Sequence, residues 1–363
     1  MNLTEAFSKI EDFRRAEGRR YPLMPMLLII VMSIVCGYPR YREIARFARA
    51  NGEKLAEFFC LGRKEMPSHV TIRSIVMNSD FGQIRRAFEK WCGQHVSVGP
   101  GEMLSVDGKA IASTVSDYDR SYQDFVSLVS VFSQKQGQVI GFDRLRNGKG
   151  SEIPKVEELI RLLDLENVVF TMDALHCQKK TLRTVVETDN DYIVKVKNNQ
   201  PKLLAAIRQG CGASEPVDVF ETDERSRGRS EHREVSVFEP PCDTPEGWAG
   251  LARVICVRRS FKTGGDHHAS VSYYISSVIS DSAELFAGGI RGHWHIENRL
   301  HWVKDVVMNE DSSGIRDMNA AANMSAFRNI AINIVRGDGF DSVKAASIFF
   351  VANIRKLFDL IRT

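Results

Sequence analysis

Val168-Val169-Phe170-Thr171-Met172-Asp173 decides the fold: five residues suited to a covered, pleated strand end on an acid. Two helical stretches flank it. In 152–163, Val156, Leu159, Ile160 and Leu163 make an apolar stripe, and a second helix is predicted over 179–187, followed by a strand over 192–196. Before these, β-branched runs at 103–106, 125–132 and 138–142 predict three more strands. The order from Gly99 is therefore β-β-β-α-β-α-β. It predicts an α/β fold in which helices cover both faces of a sheet and ligands gather at strand ends.

Outside this block the pattern changes. Residues 216–280 hold short alternating stretches separated by Gly, Pro and Asp, which predict a β-rich insertion. A long helix is expected from about Ser282 through Glu297, and two more over 318–336 and 342–361. Residues 1–96 have helical periodicity broken by Gly37, Pro39, Gly62 and Pro67, and so form a separate helical domain ahead of a domain spanning 97–363. Within it, Ile44, Phe47, Ala48 and Leu55 share a face, with Arg42, Arg46 and Arg49 beside it, and Ser68 is placed to cap a helix after Pro67. Such short helices suit either a helix-turn-helix-like DNA reader or a plain helical scaffold.

The net charge of +3 conceals an asymmetry. Residues 1–96 carry 16 Lys and Arg against 10 Asp and Glu, while the remainder is acidic on balance. A phosphate backbone would therefore meet the amino-terminal segment first. Seven cysteines, at 36, 60, 92, 177, 211, 242 and 256, are never spaced C-x-x-C. That pattern argues against a structural zinc site or a disulfide framework, and fits a reducing cytoplasm. The apolar run 23–36 is shorter than a bilayer requires and contains Pro25, so it is expected to be a buried helix.

Three acids stand in positions that suit chemistry. Asp107, in Leu-Ser-Val-Asp-Gly-Lys, and Asp173 each end a predicted strand, while Glu297 sits in a helical stretch. Carboxylates are hard ligands for Mg²⁺ or Mn²⁺, and two such ions about 3.5–4 Å apart can activate a nucleophile and stabilise a leaving oxygen in phosphodiester chemistry. After Asp107, Gly108 would allow a bend and Lys109 could touch a phosphate. At α-helical spacing, His293, His301 and Lys304 share the face of Glu297, with Trp294, Ile296 or Leu300, and Val303 left for packing. His176 and Cys177 lack partners at ligand spacing and are expected to be a turn histidine and a buried thiol. Lys197 follows a strand and lines either a cleft or the surface. Arg227 and Arg229, with Arg225 and Arg233, form either a DNA-backbone clamp or a solvated loop.

Six stretches in order along the chain resemble the DDE transposases, specifically the H-repeat-associated (ISAs-type) insertion-sequence branch. They are Pro-Ser-His-Val-Thr-Ile-Arg (67–73), Val-Asp-Gly-Lys (106–109), Gly-Ser-Glu-Ile-Pro (150–154), Thr-Met-Asp-Ala (171–174), Tyr-Ile-Val-Lys-Val-Lys-Asn-Asn-Gln (192–200) and His-Trp-His-Ile-Glu-Asn-Arg-Leu-His-Trp (293–302). The resemblance implies a ribonuclease-H-like mixed sheet, with a β-rich insertion between the second and third acids. It further implies Asp107, Asp173 and Glu297 as the catalytic, metal-binding triad for two Mg²⁺ or Mn²⁺ ions. DNA contacts are expected from Lys109, Lys304, His301, Arg299, Lys197, Arg227 and Arg229. The partners would be double-stranded DNA, as terminal inverted repeats and target, and further copies of the chain. Lys304 matches the lysine of a Glu-x6-Lys signature, but Ile290 and His293 stand where that signature has Tyr and Arg, and Ile111-Ala112 replaces a basic residue and glycine. The expected activity is metal-dependent cleavage and strand transfer of an insertion sequence. The rivals are a nuclease that cuts without joining and a decayed DNA-binding remnant.

Overall fold

The computed structural model describes residues 1–62, 64–115, 124–147, 151–226, 229–263 and 266–362. Among them the strands are β1 (Met103–Ala110), β2 (Val126–Ser133), β3 (Val139–Arg146), β4 (Val169–Met172), β5 (Asp191–Val196), β6 (Asp218–Ser226), β7 (Arg229–Phe238), β8 (Arg253–Thr263) and β9 (Asp266–Ser276). The chain divides into two compact units. One comprises Met1–Ser97, Gly108–Glu152 and Ile296–Thr363, the other Val98–Asp107 and Ile153–His295. The division runs through β1 instead of following the linear boundary expected at residue 96.

The second unit is built on a mixed sheet ordered β1-β4-β5-β9-β8-β7-β6. β4 pairs in parallel with β1 and with β5, while β5 meets β9 antiparallel and the remaining neighbours are antiparallel hairpins. All four residues of β4 are buried, as a parallel strand covered on both faces must be. The helix Glu152–Leu163 buries Val156, Leu159 and Ile160, and Lys179–Glu187 buries Leu182 and Val185. The β-rich insertion forms the four strands β6 to β9. Its inner face, with Val235, Val237, Ile255 and Val257, packs on Phe286 and Ile290 of the helix Ala283–Gly292. Burying each such side chain contributes about 1.5–3 kcal/mol. Gly289 lies on that helix where a Cβ would collide with the Met103 sulfur, so glycine brings the helix against β1.

The first unit is mostly helical around the antiparallel pair β2 and β3. Every residue of the helix Leu23–Val35 except Met24 is buried. Among the described residues it is part of the one segment apolar and long enough to cross a membrane by composition, and most of that segment is buried within the protein. The helix Met318–Gly337 packs on it, on the helices His69–Asn78 and Phe81–His95, and on β2 and β3. Two of its buried amides tie the unit together. Asn323 donates to the carbonyls of Val76 and Ser79, while Asn333 donates to the Val139 carbonyl at 2.7 Å and accepts from the Val139 amide at 2.8 Å. In the helix Tyr41–Ala50, Ile44, Ala45, Phe47 and Ala48 are buried while Arg42, Arg46 and Arg49 are exposed, as the periodicity predicts.

Three elements differ from expectation. The single helix expected over 342–361 is two, Val343–Ala352 and Ile354–Arg362, parted at Asn353. The helix Pro201–Ala213 is additional. The α-helix that was to run through Glu297 ends at Gly292, and Glu297–His301 and Val303–Val307 adopt the wider π-helical turn, with Trp302 and Met308 amides donating five residues back.

Candidate active site

In the second unit, register places two of the three acids side by side. β1 and β4 pair from Met103 opposite Val169 to Val106 opposite Met172, so Asp107 and Asp173 are the next residues on adjacent parallel strands. Neighbouring strands are about 4.8 Å apart, and equal register puts both carboxylates on the same face. Asp173 also caps the turn Ala174–His176, accepting from the Leu175 amide at 2.9 Å. Beneath them, the buried Thr171 hydroxyl meets His293 Nδ1 at 3.1 Å and approaches the Leu104 carbonyl at 3.4 Å. The loops after β4 and β5 are stitched together by Asn199 donating to Ala174 and Gln200 donating to Cys177. Burial pushes the Cys177 thiol up to about 12, so it is a protonated packing group, in line with its expected role. The same loops line a cleft of about 620 Å³ that contains Asp173 and Lys197.

In the first unit, Glu297 is exposed and approached by His301 Nδ1 at 3.4 Å. This contact, helped by the charge of Lys109, holds the Glu297 carboxyl below its usual range against the opposing effect of burial. It is therefore anionic at neutral pH. Lys109 is buried and reaches Asp305 at 2.8 Å, Asp311 at 3.2 Å and Glu310 at 3.5 Å. Glu310 also receives Arg328 at 3.4 Å and Lys304 at 3.7 Å, all three of them at most 1% exposed. The glycine between Asp107 and Lys109 is explained by proximity. β1 continues straight through Gly108, and a Cβ there would collide with the Glu152 carboxylate. The bend expected at Gly108 is absent, and Glu152 is an acid that the sequence reading quoted only as part of a motif.

Residues 99–334 match the family model described as Transposase DDE domain, and residues 4–92 match DDE_Tnp_1-associated. The chain belongs to the DDE transposase family. It is 34% identical over 346 residues to the putative transposase YncI of Escherichia coli O157:H7, covering 92% of this chain and 87% of that one. It is 32% identical over 353 residues to the H repeat-associated putative transposase YhhI of Escherichia coli K12, with 93% and 90% covered. A solved piggyBac transposase synaptic complex with hairpin DNA aligns with a TM-score of 0.44 at 10% identity, covering 99% of this chain and 77% of that one, too loose a likeness to carry an argument.

Several residues expected to touch DNA in this transposase have other work. Lys304 is 1% exposed and its ammonium faces Glu310, so it does not share the face of Glu297. The reason is the π turn. Seven residues make nearly two turns of an α-helix but fall short of that when hydrogen bonds run five residues back. Trp294, expected to pack, is 63% exposed: it sits in the short α-helical turn Trp294–Ile296, three residues before the exposed Glu297 and so on nearly the same face, while Ile296, Leu300 and Val303 are buried. Lys109 is engaged by three carboxylates, and His301 is buried beside Glu297. The Arg299 guanidinium lies against Gly137 and reaches Asp341 at 3.4 Å. Lys197 is exposed at the cleft. Of the arginine cluster, Arg233 pairs with Glu231 and Arg225 is exposed, whereas Arg227 and the Arg229 side chain lie outside the described residues. Asp305, Glu310, Asp311 and Arg328 gave no sequence signal because their partners emerge only on folding.

Proposed function

We propose that Asp107, Asp173 and Glu297 hold two divalent cations, Mg²⁺ or Mn²⁺, and that the chain cleaves the ends of an insertion sequence and joins them to target DNA. The observation that carries this is the parallel register setting Asp107 and Asp173 on adjacent strand ends. Lys109, whose charge helps keep Glu297 anionic, lies two residues after Asp107 in the chain. The donor chemistry fits: the ligands are carboxylate oxygens, one of them kept anionic, and the nearby thiol of Cys177 is buried and protonated. When bound, the cations would activate the attacking oxygen and stabilise the leaving one. The residues themselves supply fixed negative charge at the strand ends, while His301 holds the Glu297 carboxylate in place. A ribonuclease-H-like core is supported by the chain order, a strand and a hairpin followed by two strands parallel to the first. The exposed arginines at 42, 46 and 49 support backbone contacts from the amino-terminal helices, two DNA ends call for more than one copy of the chain, and chromosomal DNA places the work in the bacterial cytoplasm.

The test uses full-length protein and a plasmid carrying the genomic segments that flank its coding sequence. Cleaved ends and joined product are expected with Mg²⁺ or Mn²⁺, and neither with EDTA. Cutting without joining identifies a nuclease, and DNA binding with no metal-dependent product identifies a decayed remnant.

A second expectation concerns the amino-terminal helix. Replacing Arg42, Arg46 and Arg49 together by Gln weakens binding to all duplex sequences alike and lowers the salt slope by up to about three. Fluorescence anisotropy across a salt series measures it. An unchanged slope removes this helix from the DNA interface.

A further inference from the structure

We infer that the cleft beside Asp173 is a pocket for one unpaired nucleotide of the DNA substrate, its phosphate held by Lys195, Lys197 and Arg208 and its base laid on Tyr273. The inference rests on the proposed reading of Asp173 as a strand-end catalytic acid. The cleft, about 620 Å³, falls in the range of small-ligand sites, about 300–1,000 Å³. Lys195, Lys197 and Arg208 line it, and among the described residues none of the three forms an ion pair. Asp173 is the single acid in the lining, so the cations outnumber it three to one. An excess of cations in a concave site concentrates anions.

The rest of the lining selects the kind of anion. Leu175 and Val271, which also border the cleft, are 45% and 52% exposed. Duplex backbone offers phosphates and sugars to such a surface but no apolar face, whereas an unstacked base offers one. Arg208 lies over the Tyr273 ring at 5.8 Å, and Lys195 lies over Tyr274 at 5.7 Å. Arginine paired with an aromatic ring is the arrangement on which single-stranded bases stack. Asn198, also in the lining, offers an amide that can pair with the polar edge of a base.

The test is binding in EDTA, where nothing is cut. The probe is a short duplex with one unpaired 3′-terminal 2-aminopurine nucleotide, compared with the blunt duplex of the same paired sequence. The full-length protein is expected to bind the overhang about tenfold more tightly and to quench its fluorescence, since stacking a base on an aromatic ring has about that effect. Tyr273→Ala and Arg208→Gln, made separately, should each remove the preference and the quenching while blunt-duplex affinity and thermal unfolding stay as in the natural chain. Arg208 is exposed, so its variant decides the matter even if Tyr273→Ala unfolds. Equal binding of the two probes by the natural chain, or a preference that survives Arg208→Gln, overturns the pocket. Because this readout needs no metal, an overhang preference in a chain that fails to cleave would sink the metal reading and leave the pocket standing.

Discussion

Glu297→Gln is expected to lower metal-dependent DNA cleavage about 10³-fold or more, since the several kcal/mol of charge stabilisation that a bound cation supplies translate into that factor. The substitution preserves shape and an oxygen but removes the negative charge. Glu297 is exposed and meets His301 at 3.4 Å, so the fold has little reason to respond. Duplex affinity should likewise persist, because the proposed backbone contacts come from Arg42, Arg46 and Arg49. Asp107→Asn is expected to behave in the same way, as its neighbour in register, Asp173, cannot replace a missing charge. Single-turnover cleavage, anisotropy with duplex DNA and thermal unfolding separate the three properties. Cleavage within a few fold of the natural chain in either variant would remove these acids from the chemistry.

What the sequence made legible follows from which interactions are local. β4 was readable because a parallel strand covered on both faces is a continuous apolar run, β5 because of its apolar core Tyr192–Val194, and the helices Glu152–Leu163 and Lys179–Glu187 because each buries one apolar stripe. The helix Pro201–Ala213 carries proline in its first turn, where it is favoured, and Gly210 and Gly212 near its end, so its residues give a weak helical signal. Asp107 and Asp173 could be named from strand ends, but their shared register depends on pairing between strands more than sixty residues apart. The surroundings of Glu297 were misread for a sharper reason. Counting faces in steps of 3.6 presumes an α-helix, and nothing in the residues from Glu297 to Val307 announces a π turn. The grouping of the amino-terminal helices with β2, β3 and the chain's end was hidden as well. It depends on the helix Met318–Gly337, whose Asn323 reaches back to Val76 and Ser79.

The buried charges around Glu310 make the second large effect one of stability. Glu310→Gln is expected to cost about 3–5 kcal/mol, because it strands Lys304 and Arg328 in the interior without an anion. Burial alone would raise the Glu310 carboxyl, but Lys304, Arg328 and Lys109 overcome it and hold the group at about 2. The sign of the pH dependence follows. A carboxyl depressed on folding stabilises the protein fully above its ordinary value of 4.5, and that contribution is lost as pH falls from about 4.5 towards 2. Burial lowers Lys304 to about 8, still protonated at neutral pH, so the pair is ionic under ordinary conditions. Urea unfolding at neutral pH should therefore show the full loss in Glu310→Gln, and a series into acid should show the variant's deficit shrinking as the natural chain loses the same charge. Replacing Glu310, Lys304 and Arg328 together by apolar residues of similar size should recover most of the stability, since desolvating the charges then costs nothing. The triple variant also isolates the network's part in the site. Glu310 helps fix Lys109, two residues beyond Asp107, so a triple variant that folds well yet cleaves poorly would show that these charges hold the end of β1 in position.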